Sequence, residues 1–253
     1  MGFPFFIEFM TSLLKNIFQL HQANVLIYAQ ALFLCILLVL GLAAPESVVF
    51  GYFFETIIIG LLHAVKLFLV IKHGKEDKKD RNSMQGYGSI VFFLFHYGMF
   101  VGIQMIFVFF FFENSIPGLS HGFALFHNFS VLLQMDGMLL IIGSLLVSNL
   151  GYFYSNFWQF EKYKEYAPSE IFFSPYVRIF IQQFVVILAG FFMVFLDAGI
   201  VAAALLLLFR LGVDLCMVAI RKHSGFAKEL SEKIAKPDQN PSEVQQQLER
   251  LSE

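Results

Sequence analysis

Lysine and arginine are segregated along this chain. Long apolar blocks repeat over 24–220, and basic residues between them occur only in every second connection. Residues 72–81 read KHGKEDKKDR, the stretch 151–170 holds Lys162 and Lys164, and the tail after Ile220 opens RKHSGFAK. The alternate connections, 44–47, 113–122 and the turn at Asp197, contain no Lys or Arg. Such a pattern is the positive-inside signature of a multi-pass membrane protein. It puts both termini and the three basic regions in the cytoplasm, with the cell (inner) membrane as the location.

Composition excludes the alternatives. The chain is 58% hydrophobic and 14% charged, with 34 Phe, whereas a soluble domain carries roughly 25% charged residues. No basic stripe with interleaved aromatics points to nucleic acid. Cys35 and Cys216 lie inside apolar blocks and read as small hydrophobes. A span needs about 20 apolar residues, because the hydrocarbon is roughly 30 Å thick and a helix rises ~1.5 Å per residue. Six segments qualify: 24–44, 48–71, 88–112, 123–149, 171–196 and 198–220. Backbone groups in lipid must pair internally, so each is a helix, and no short alternating strands suggest a barrel.

The expected fold is an all-α integral membrane protein in three parts. Residues 1–22 carry Phe3, Phe6, Phe9, Leu13 and Ile17 on an apolar face interrupted by Glu8, Lys15 and Gln19, the pattern of an interfacial amphipathic helix. There is no basic start or small-residue cleavage site for a signal peptide. Residues 23–222 form the six-span domain, and 223–253 a polar cytoplasmic tail that is flexible or a single short helix from Pro237 on. HYGMFVGIQ (96–104) parallels PYVRIFIQQ (175–183), and VIKHG parallels AIRKHSG. These likenesses suggest parallel repetition of helical hairpins.

Charged groups within a span cost about 2.5–3.5 kcal/mol at the centre, so they face the bundle interior and have partners. Here they are Glu55, Lys66, Asp136, Arg178, Arg210 and Asp214, accompanied by His63, His96, Tyr97, Gln104 and Gln183. Counting residues from the inner ends of the spans puts His63, His96, Arg178 and Asp214 in one layer. Glu55 and Lys66 share a face of one helix too far apart to pair. Arg210 and Asp214, four residues apart, are placed to pair along their helix. Asp136 has no cation on its own helix.

His63 and His96 at one depth could hold a haem between them, or a transition metal together with Asp214. Two hydrogen-bonded interior histidines explain the same residues without a cofactor. Motifs for zinc hydrolysis, dinucleotide or phosphate binding and serine catalysis are absent, so no catalytic residue is assigned.

At YFFETIIIG (52–60), HYGMF (96–100) and PYVRI (175–179) the chain resembles a bacterial and archaeal membrane family, domain of unknown function 6498. The resemblance covers about 24–222. It implies a multi-span fold, no established activity, and a family pattern matched by Glu55, His96, Tyr97, Gly98, Arg178, Arg210 and Asp214. The family tends to carry further histidines at places that here look like Gln104, Gln183 and Asn149. Amides keep the hydrogen-bonding capacity but ligate metals poorly, which weighs against a His-rich metal site.

Three functions follow. The polar residues could line a pathway for a proton, ion or small solute, with Glu55 and Asp136 as outer and central acids and His96, Arg178 and Asp214 as an inner gate. They could form a membrane-embedded enzyme or redox site facing the cytoplasm. They could simply fix helix packing in a structural subunit of a membrane complex. The partners implied are the lipid bilayer and, as open alternatives, further copies of the chain or other complex members.

Overall fold

The computed structural model describes residues 22–76, 86–176, 179–181, 184, 187–188, 191, 199–222, 224–235 and 240–251. The expected amphipathic helix at 1–22 lies outside them, save its last residue. Among the described residues the ordered elements are helices. They are α1 (Gln22–Val39), α2 (Pro45–His73), α3 (Gly88–Phe112), α4 (Leu125–Leu133) and α5 (Met138–Phe153). α5 runs on through a π-helical turn, Tyr154–Trp158. There follow α6 (Pro168–Ile171), α7 (Gly199–Lys222), α8 (Ser224–Ile234) and α9 (Pro241–Leu251).

Among the described residues four stretches are long and apolar enough to cross a bilayer: Pro45–His73, Gly88–Phe112, Met138–Trp158 and Gly199–Ile220. The protein is therefore a multi-pass membrane protein whose natural surroundings are lipid. Six spans are not reached among the described residues. The apolar run of α1, Val25–Val39, is shorter; at ~1.5 Å per residue it covers about 22 Å, less than the hydrocarbon thickness. The segment 171–196 falls largely outside the described residues. The segment 123–149 is not one helix.

That break has a local cause. α4 ends at Leu133, and Gly137 adopts a left-handed conformation (φ 75°) before α5 begins. Asp-Gly is a turn signal, because only Gly takes positive φ without steric cost. The turn is also pinned: the main-chain oxygen of Asp136 accepts from Ser47 Oγ at 2.8 Å and from the Ala44 amide at 3.2 Å. Asp136 is thus exposed at the end of the bundle opposite Lys72, not in mid-membrane.

α2 is the hub. It begins with Pro45 at its first turn and packs against α3, α5 and α7, while α1 packs on α5 and α7. Its first half is buried almost on all sides, from Ser47 to Phe53. There Phe50 meets Phe109 and Phe112 at ring distances of 6.4 and 5.3 Å, and Phe53 meets Phe129 at 6.5 Å. Outward-pointing Val91, Phe95, Phe107 and Leu139 are exposed, as lipid contact requires. At the basic end the tail forms α8 and α9, which pack on each other, and α9 touches α6 and α7.

Candidate functional site

Glu55 is fully buried, ten residues into α2 from Pro45. Arg210 is eleven residues into α7 from Gly199. At ~1.5 Å per residue both sit about 15 Å from their helix starts, near the middle of a bilayer. The two meet: Arg210 Nη1 pairs with Glu55 Oε2, and Nη2 donates to Oε1. This two-pronged geometry is the strongest that a guanidinium and a carboxylate can form. Arg210 Nε also donates to Asp214 Oδ2 at 3.1 Å, and the guanidinium lies 4.3 Å from the centroid of the Tyr52 ring. Asn149 Nδ2 donates to Glu55 Oε1 at 2.7 Å and to the Leu145 carbonyl at 2.8 Å.

So the pair expected within α7 exists, but its arginine is shared. Glu55 is not a separate outer acid; it belongs to the same cluster as Arg210 and Asp214. Removing one partner of such a buried pair typically costs about 3–5 kcal/mol, because the other charge is left without its counterion.

The cluster closes one end of a cavity of about 110 Å³. One water needs roughly 10–15 Å³ of such space, so the cavity has room for several waters or a small solute. Among the described residues its lining is confined to the basic half of the bundle. None of the lining residues lies beyond Ala31 on α1, before Tyr52 on α2, before Ser148 on α5 or before Leu207 on α7. Ser174 and Pro175 line it as well. On the other side of Glu55 the interior is the Phe50, Phe53, Phe109, Phe112 cluster.

His63 and Lys66 line the same cavity further toward the basic end, Lys66 as its shared face with Glu55 predicts. His63 is 5% exposed and its Nε2 has no hydrogen-bond partner among the described residues. Leaving a buried polar atom so costs about 1–3 kcal/mol. Lys66 Nζ lies 4.9 Å from the centroid of the Phe157 ring.

Other expected residues lie elsewhere. His96 is turned away from the cavity: its Nδ1 shares a 2.8 Å hydrogen bond with Tyr176 Oη, and its ring stacks on Phe92. Tyr97 donates from Oη to the Thr56 carbonyl at 2.8 Å, with its ring seated where a side chain on Gly60 would be. Gln104 is buried on α3 away from the cavity. Arg178 and Gln183 lie outside the described residues. The set His63, His96 and Asp214 does not converge, and no three His, Cys, Asp or Glu among the described residues form a group able to hold a metal ion.

Sequence reasoning did not single out Gln30 or Tyr52, and met Asn149 only as a family departure. Gln30 lines the cavity and donates to Ser144 Oγ at 3.0 Å. The signal available was spacing: Tyr52 and Glu55 are three apart and so share a helix face.

The YFFETIIIG segment therefore supplies Tyr52 and Glu55 to the cluster and Gly60 to the α2–α3 contact. A family model matches residues 13–232. The chain belongs to the Family of unknown function (DUF6498). The match takes in every spanning helix and nearly all of α8, so the cluster and the cavity lie within the family region. No curated protein and no solved structure matches the chain.

Proposed function

We propose that this membrane protein carries a proton, ion or small polar solute across the bilayer, loading it from the cytoplasm into the cavity that ends at Glu55 and Arg210. The positive-inside rule supports a cytoplasmic basic end. The observation that carries the reading is one-sidedness. Among the described residues, a cavity with Glu55, His63, Lys66, Arg210 and Asp214 on its wall occupies the basic half of the bundle up to mid-membrane, and a packed aromatic layer lies beyond it. Loading from one side against closure on the other is half of an alternating-access cycle.

The ion pair gives the cycle a chemical handle. A solute or proton that competes for Glu55 weakens its hold on Arg210, and Arg210 keeps Asp214 as a second carboxylate. Helices α2 and α7, joined through that pair, are then free to change their packing. Asn149 and Tyr52 hold the carboxylate and the guanidinium in place meanwhile.

The test is proton flux in liposomes containing the purified chain, with a potassium diffusion potential and an internal pH dye. Wild-type flux above that of empty liposomes, lost in Glu55→Gln, is expected. Equal flux in both proteins, with Glu55→Gln folded, contradicts a role for Glu55 in conduction. A second reading is a membrane-embedded enzyme whose substrate enters the same cavity. The buried imidazole of His63 on its wall favours it, and substrate turnover without flux would support it.

A further inference from the structure

We infer that the His63–Lys66 turn of α2 is a binding subsite for an anionic oxygen, carboxylate or phosphate, of the molecule that enters the cavity. The inference rests on reading that cavity as a loading site. His63 carries it. Its side chain is 95% withdrawn from solvent, by difference from its 5% exposure, and lines the cavity, yet Nε2 has no hydrogen-bond partner among the described residues. The large majority of buried side-chain polar atoms in folded proteins are paired, and an unpaired one calls for an explanation such as a bound ligand or water. Around the ring stand Phe93, at 4.9 Å between ring centroids, and the Ile171 backbone, to which the ring is hydrogen-bonded. The χ2 torsion of histidine is broad, so a small rotation presents a ring nitrogen to a cavity occupant.

Lys66 gives the subsite its charge preference. It lies one turn on from His63 and lines the same cavity. Its ammonium sits over the ring of Phe157, which the π-helical turn Tyr154–Trp158 carries. Single π-helical turns are frequent at functional sites. The cation–π contact keeps the ammonium beside the cavity, where a lysine at this depth would otherwise extend toward the headgroups. One ring nitrogen of His63 is already hydrogen-bonded to the Ile171 backbone, so an occupant that brings a proton to Nε2 makes the ring a donor on both sides, and that imidazolium together with the Lys66 ammonium suits a negatively charged acceptor. Eight residues separate His63 from Glu55, about 12 Å along the helix, so the subsite stands apart from the ion pair.

The experiment uses the full chain in a neutral detergent and follows its single tryptophan, Trp158, with thermal unfolding as a second readout. Acetate and inorganic phosphate are the anionic probes, methylammonium the cationic one. Micelles doped with phosphatidylglycerol or phosphatidylcholine separate a lipid headgroup from a free anion. Saturable binding of acetate, phosphate or phosphatidylglycerol is expected. His63→Ala and Lys66→Met should weaken it about tenfold or more, as loss of a hydrogen bond to a charged group does. His63→Gln, which keeps a donor, should retain most of it. Should His63→Ala fail to fold, Lys66→Met and His63→Gln still decide the matter. Absence of saturable anion binding, unchanged affinity in the variants, or binding of methylammonium alone would overturn the inference. Anion binding lost in Lys66→Met, alongside liposomes without flux, would leave the subsite standing and remove the transport reading.

Discussion

Glu55 and Arg210 stand 155 residues apart in the chain and meet as a two-pronged ion pair in the middle of the bundle. The pair joins α2, the hub of the fold, to α7. It also ends the cavity, so the same contact serves packing and chemistry. Its two roles separate by mutation. Glu55→Leu or Arg210→Met alone should destabilise the protein by about 3–5 kcal/mol, and the double variant by much less. Unfolding in detergent across the double-mutant cycle measures this. Flux should be absent in all three.

Gly60 and Tyr97 give a second expectation. A methyl group at Gly60 would overlap the Tyr97 ring. Overpacking of this kind costs about 1–3 kcal/mol. Tyr97→Phe removes only the hydrogen bond to the Thr56 carbonyl and should cost about 1 kcal/mol. Thermal unfolding of Gly60→Ala, Tyr97→Phe and the wild type should rank them in that order of increasing stability.

Asp136 and its neighbour should respond in opposite ways. Only the main-chain oxygen of Asp136 is used by Ser47 and Ala44, so Asp136→Asn should leave flux unchanged and stability within about 0.5 kcal/mol. Gly137→Ala places a side chain at positive φ and against Ala43. It should destabilise by more than 1 kcal/mol. Parallel unfolding and flux assays on the two variants check both halves.

Much of the site was legible because charge in an apolar block is conspicuous. Glu55, Lys66, Arg210 and Asp214 identify themselves by that contrast, and residue counting places Lys66 and His63 inward of Glu55. Which charges converge depends on the rotation of each helix, and packing sets that. His96 has the depth expected for the His63 layer but faces Tyr176. The amides Gln30 and Asn149 are inconspicuous because they are cheaper to bury than a charge. The break at Asp136 was hidden by the apolar residues on both sides of it. Hydropathy averages across a turn that the Asp-Gly pair marks locally.

The central claim is that Glu55 is reached from the basic face alone. Single cysteines at Ile59, on the cavity wall, and Val49, in the packed outer half of α2, test it in a background with Cys35 and Cys216 replaced by serine. A membrane-impermeant maleimide is applied from each side of oriented vesicles. The account predicts that Ile59→Cys is labelled from the face bearing Lys72 and not from the other, and that Val49→Cys is labelled from neither. Labelling of Ile59→Cys from the opposite face, or from neither, would contradict it.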